Sequence, residues 1–165
     1  MDLTQPQVDE FMAADKLVHG EAIEWEATNA EKGAWWRGQI AVEGAFVGHA
    51  CLFANLYLPR GWAFKLVLHG EEVYRLDVKN GPSRHHNPPN RPDGFKRKVR
   101  CPEHEHVWRL GLGVQCATEL DGLSTASHEE VMQVFCQRAR TEFEAPYSLP
   151  GEGNQMSLEN QNDGH

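Results

Sequence analysis

The chain has 165 residues, 40% hydrophobic and 24% charged with five Trp, which is room for one packed core and too little for two comfortable domains. That composition excludes wholesale disorder, and no apolar run reaches the roughly 18 residues that would span a bilayer. The net charge of −8 argues against non-specific duplex binding by the whole surface, although it is unevenly spread.

Thr4 is a plausible N-cap for a helix to Ala14, with Val8, Phe11 and Met12 on one face. Gly20 ends that pattern. Ala22–Ala27 then alternates apolar and acidic residues as a half-buried strand does, and Trp35–Val42 and His49–Leu58 read as further strands separated by a Glu43-Gly44 turn. After a turn at Pro59-Arg60-Gly61, Trp62–Leu68 and Glu72–Val78 form the clearest hairpin, joined through His69-Gly70-Glu71-Glu72. Lys79–Gly94 carries four Pro and is expected to be irregular, a loop of a length usually tied to function. Phe95–Trp108 resumes an extended pattern broken at Cys101-Pro102, and Val114–Leu120 suits a last short strand. Thr125 or Ser127 caps a second helix with Glu129 and Glu130 in its first turn, Val131, Val134, Phe135, Arg138 and Phe143 along its face and flanks, and Pro146 as its stop. The expected fold class is α+β: a mainly antiparallel sheet of five to seven strands with an N-terminal and a C-terminal helix, forming a single domain over 1–147. Residues 148–165 are polar and acidic and are expected to be a disordered tail.

Residues 1–33 hold eight acids against Lys16 and Lys32, and residues 119–165 hold nine against Arg138 and Arg140. Between them, residues 84–100 hold six Lys and Arg against Asp93 alone. A basic band of that kind suits a phosphate backbone or the acidic surface of a host or phage protein, or else a solvated strand edge that resists aggregation. The acidic C-terminal part is placed to shield it.

Four of the nine histidines, His85, His86, His104 and His106, fall within this same stretch, and Asp77 closes the strand before it. On a strand, His104 and His106 project from one face and Glu103 and Glu105 from the other. Two such imidazoles can act as acid and base, because histidine titrates near neutrality. RNA cleavage through the 2′-hydroxyl needs that pair plus a cation at the phosphate, for which Arg75, Arg84, Lys96, Arg97, Lys98 and Arg100 are candidates. The same imidazoles can ligate Zn²⁺ with His85, His86, Asp77 or Cys101, but no paired knuckle supports a structural zinc site, so the catalytic reading takes no cofactor. Cys51, Cys101, Cys116 and Cys136 form no CxxC pair and read as thiols. With no basic residues or apolar stretch in Met1–Pro6, no secretory signal is expected and the location is cytoplasmic.

The opening Met1–Asp9, the strand end Arg75-Leu76-Asp77, the turn His85-His86-Asn87-Pro88 and the segment Cys101-Pro102-Glu103-His104-Glu105-His106 resemble an uncharacterised family of small bacterial proteins often found on mobile elements. Its hallmark is Arg-Leu-Asp, His-x-Asn-Pro and Cys-Pro-His-x-His. Here Glu103 is one residue extra, and the loop is longer. More loosely, the order of these motifs is similar to that of small toxins of toxin–antitoxin modules. That likeness implies an RNA substrate and a cognate antitoxin. On such a substrate the residues themselves suggest His104 and His106 as the proton-transfer pair, with His85 or His86 closing over it and Asp77 orienting an imidazole. The alternatives are a non-catalytic inhibitor or accessory factor, whose histidines hold a zinc or a rigid loop, and a zinc-dependent hydrolase with an open coordination position.

Overall fold

A computed structural model describes residues 2–20, 23, 25–28, 33–55, 60–81, 83–146 and 148. Within them, helix α1 (Gln5–Ala13) leads into β1 (Lys16–His19), β2 (Glu26–Thr28), β3 (Gly33–Val42), β4 (Ala45–Asn55), β5 (Trp62–Leu68) and β6 (Glu71–Val78). The minor strands β7 (His85–His86) and β8 (Lys98–Val99) precede β9 (Glu103–Val107), β10 (Ala117–Glu119), α2 (His128–Ala139) and β11 (Thr141–Phe143). The sheet order is β10-β9-β6-β5-β4-β3-β1-β11, with β2 also on β3. The architecture is therefore α+β as expected, with more than the anticipated five to seven strands. Among the described residues β1–β11 is the parallel pair and the rest of the sheet is antiparallel. The start of the strand expected at 22–27, the end of that expected at 49–58 and nearly all of the tail from 149 lie outside the described residues.

Local chemistry explains most of these elements. Thr4 and Gln7 close a capping box at α1, and Ser127 and Glu130 close another at α2. Glu43-Gly44 and His69-Gly70 all take positive φ, the two-residue turn whose twist matches antiparallel strands. Three differences stand out. β1 is too short to show a period. The loop expected over 79–94 contains β7, paired with β8. The second helix stops at Arg140, which turns left-handed at φ 49°, and Thr141–Phe143 leaves it to pair with β1 rather than continuing to Pro146.

One sheet face is the core. Leu52, Phe64, Leu66 and Leu76 point from it and are buried, together with Val8 and Phe11 of α1 and Val131 and Phe135 of α2. Phe135 packs at 5.5 Å from Phe64 and 5.8 Å from Tyr74 between ring centroids. Glu103 and Glu105 point to this side as expected. Glu103 is buried in an ion pair with Arg60 at 2.9 Å, and Glu105 takes hydrogen bonds from Tyr74 Oη and Arg138, both at 2.9 Å.

His128, at the start of α2, is buried against Trp62 and Phe64, and that burial pushes its imidazole down to about 4. Between that value and the ordinary 6.5, the unfolded chain binds the extra proton, so stability is complete above about pH 6.5 and falls as pH drops toward 4. Thermal unfolding at pH 7 and 4.5 should show a loss of about 2–3 kcal/mol from this residue. His128→Phe keeps a ring in place and should remove that share; an unchanged slope would place the acid sensitivity elsewhere.

Candidate active site

The opposite face is where the predicted residues meet. In the β6–β9 register Asp77 stands opposite His104 and Arg75 opposite His106, so four side chains two residues apart on neighbouring strands share one patch. Asp77 Oδ2 lies 3.5 Å from His104 Nε2 and 3.6 Å from His106 Nε2. The Arg75 guanidinium completes the group, with Nε 3.1 Å from Asp77 Oδ2 and Nη2 3.1 Å from His106 Nε2. Both imidazoles are 1% exposed and Asp77 is buried, whereas the Arg75 side chain is 26% exposed and also meets Glu72.

The cover over this patch is the basic segment 83–100, here called the flap. The two residues of β7 alternate: His85 turns inward, its ring 4.9 Å from that of His106 and 6.0 Å from that of His104, and His86 turns out to solvent. Asn87, the buried residue of the His-Asn-Pro turn, holds the flap to the sheet edge. Its side-chain amide donates to the carbonyls of Lys96 and Ala117 (2.7 and 2.9 Å) and its Oδ1 accepts from the Ala117 amide (2.7 Å), so it pairs with β10 as a strand residue would. An ion pair of Lys96 with Glu119 adds to this.

Hydrogen bonds to backbone carbonyls fix two of the three rings. A carbonyl only accepts, so His106 donates from Nδ1 to Val114 O (2.9 Å) and His85 donates from Nε2 to Gln115 O (2.8 Å). Two adjacent carbonyls thereby leave His106 Nε2 and His85 Nδ1 as the nitrogens available for chemistry. His104 differs: its Nδ1 has no hydrogen bond of good geometry, the Cys101 backbone attracting it only weakly, and burial outweighs Asp77 to push it down to about 4. Burial also lowers His85, more than its bond to Gln115 raises it. For Asp77, burial would raise the carboxyl, but the His106 imidazole beside it and the Arg75 charge overcome it and hold it below the ordinary range. The resting state is thus an ionised carboxylate, a guanidinium, and neutral rings at His85 and His104.

Of the other candidates, Arg84, Lys96, Arg97, Lys98 and Arg100 are exposed on the flap and only Arg75 reaches the buried group. Cys101 lies outside it: its Sγ faces Glu103 and the Leu120 carbonyl, and burial raises its thiol. As ligands, Asp77, His104 and His106 offer three atoms within 4.8 Å of one another, a set able to hold a metal ion, in which Asp77 stands where Cys101 was considered. The sequence gives no sign of Val114 and Gln115, since backbone carbonyls carry no residue signature. No helix among the described residues is long and apolar enough to cross a membrane. Comparison with family models, curated proteins and solved structures finds no match for this chain.

Proposed function

We propose that the protein is a small endoribonuclease working without a metal ion, the toxin of a bacterial or phage-borne toxin–antitoxin or defence module. The observation that carries this reading is the pairing of His85 and His106, each tied by one nitrogen to consecutive carbonyls, with Arg75 at their side. His85, half-buried and neutral, takes the proton of an RNA 2′-hydroxyl at Nδ1. That oxygen attacks the adjacent phosphorus, forming the 2′,3′-cyclic phosphate as the bond to the 5′-oxygen breaks. For its step His106 carries a proton at Nε2: Arg75, which donates to that nitrogen in the free protein, moves onto the phosphate, and His106 gives the proton to the departing 5′-oxygen. Arg75 meets the charge that builds on the phosphate. His104 acts as a positioning residue between Asp77 and His106. Since His85 and the flap cover His106 in the free protein, the flap lifts to admit the strand and returns, restoring the His85 bond to Gln115, before the two rings act together.

A second reading is a zinc-stabilised binding factor without turnover. It is favoured by the two oxygen–nitrogen separations of 3.5 and 3.6 Å, close to the edge of about 3.4 Å of a tetrahedron with ~2.1 Å bonds. Against it, Arg75 fills the approach to Asp77 and His106 and already neutralises the carboxylate, so an ion enters only if Arg75 withdraws toward Glu72.

Labelled total RNA incubated with the protein in EDTA separates the two. The nuclease should leave 2′,3′-cyclic phosphate ends, with His85→Ala and His106→Asn each lowering the rate by about 10²-fold or more. Asn retains a donor for the Val114 carbonyl, so folding is the lesser concern. Intact RNA together with one equivalent of tightly held zinc would overturn the nuclease and establish the second reading.

A further inference from the structure

The register that places the histidines also orders the rest of that face. One cross-strand row runs Trp35–Phe53–Ala63–Asp77–His104, and the next runs Arg37–Cys51–Lys65–Arg75–His106. On β3 to β5 these side chains are half-buried or exposed, whereas their neighbours on the other face are core. Two aromatic residues thus lie in line with Asp77 and His104, beside a lane of three cations that ends at His106.

We infer, building on the nuclease reading above, that this open face is a track for a short single-stranded RNA segment that delivers the strand to the histidine centre. Phosphates follow Arg37, Lys65 and Arg75, and bases lie on Trp35 and Phe53. Neighbouring strands are about 4.8 Å apart, so Arg37 to Arg75 spans about 14 Å. That is roughly two to four nucleotides, between extended and stacked spacing. A sheet face with aromatic platforms and cations along it is suited to single strands, because every base has a π face and every nucleotide a charge. Gly33 contributes by absence: a Cβ there would stand 2.5 Å from the Phe53 ring, so glycine lets that ring lie down against β3. In the free protein Lys65 and Arg75 share Glu72 at 2.9 and 3.2 Å, and Arg37 bonds the His49 ring at 2.9 Å. Such half-exposed pairs are weak and readily exchanged for phosphate. A duplex, with its bases turned inward, cannot use Trp35 or Phe53.

The test is fluorescence anisotropy of the full chain with a labelled 2′-O-methyl decamer of mixed sequence, which lacks the attacking hydroxyl. The Arg37→Gln/Lys65→Gln pair should weaken binding about 10-fold at low salt. Its slope of log affinity against log salt should be shallower by about 1.4, the value for two lost phosphate contacts on a single strand. Trp35→Ala should weaken binding several-fold and leave the slope unchanged. Absence of binding by the unaltered protein, or unchanged affinity and slope in the Gln pair, would overturn the track. The two proposals fail separately. Cleavage of the ribo-decamer with no effect of the Gln pair on KM removes the track and keeps the nuclease; tight, salt-dependent binding with no cleavage does the reverse.

Discussion

Arg75→Gln should lower RNA cleavage in EDTA by about 10²- to 10³-fold, the cost of removing a fixed donor from a developing oxyanion. Most of the loss should fall on kcat, because Arg37 and Lys65 would still hold the strand. Stability should fall by about 1–3 kcal/mol, because the buried Asp77 carboxylate loses the cation whose Nε stands 3.1 Å from it. The Glu72 side adds little to this, since Glu72 keeps its partner Lys65 at 2.9 Å and a partly exposed pair of the Arg75–Glu72 kind contributes about 0–1 kcal/mol. The same substitution discriminates sharply against the zinc-bound alternative. Removing the guanidinium opens the approach to Asp77, His104 and His106 and takes away a repelling charge, so a metal centre would bind zinc more tightly in the variant. Loss of cleavage with no gain in zinc supports the nuclease; full cleavage in the variant would remove Arg75 from its chemistry.

Arg75 also shows where sequence reading reaches its limit. That Arg75 and Asp77 share one face, and His104 and His106 another, follows from the two-residue period of each strand. That the two faces are the same one depends on the register between β6 and β9, which pair across a long intervening segment and have no tight turn to set it. The Trp62–Leu68 hairpin is legible for the converse reason, since a connection over His69–Glu72 brings the two strands together locally, although a bulge at Leu66/Val67 then shifts the register by one residue before Arg75 and Asp77. Inside the flap, the choice between His85 and His86 rests on a two-residue strand, below any periodic signal. The basic band was visible as charge, but not that Lys96 would be taken by Glu119 or that Asn87 would anchor the flap on β10. Phe143 fits the apolar face of α2 in pattern; the left-handed turn at Arg140 and a parallel pairing with residues 125 positions earlier in the chain set it in the sheet instead.

Lys16 is the residue whose importance composition hid most completely, and Lys16→Met should cost about 3 kcal/mol of folding stability. Its ammonium is buried where both helices end, donating to the carbonyls of Met12 (3.3 Å) and Ala14 (2.7 Å) at the end of α1 and of Ala139 (2.8 Å) at the end of α2. A cation there meets the negative ends of two helix dipoles. Two effects compete. Burial first, then the charge of Arg140, push its pKa down to about 8 against the pull of Asp15, which marks a real cost of keeping the charge inside. Removing the amine relieves that cost but strands carbonyls at about 1–3 kcal/mol each, and only Ala139 has a replacement donor here, Thr141 Oγ1 at 3.1 Å. The stranded carbonyls win, and the melting temperature should fall by roughly 6–12 °C. The sign of the pH dependence separates donor from charge. Between about 8 and 10.5 the folded chain has released this proton and the unfolded chain has kept it, so the contribution of Lys16 to stability rises with pH across that window. The gap between the unaltered protein and Lys16→Met should therefore widen from pH 8 to 10, as the neutral amine goes on donating. A gap that narrows would mean that the positive charge, rather than the hydrogen bonds, holds the two helix ends together.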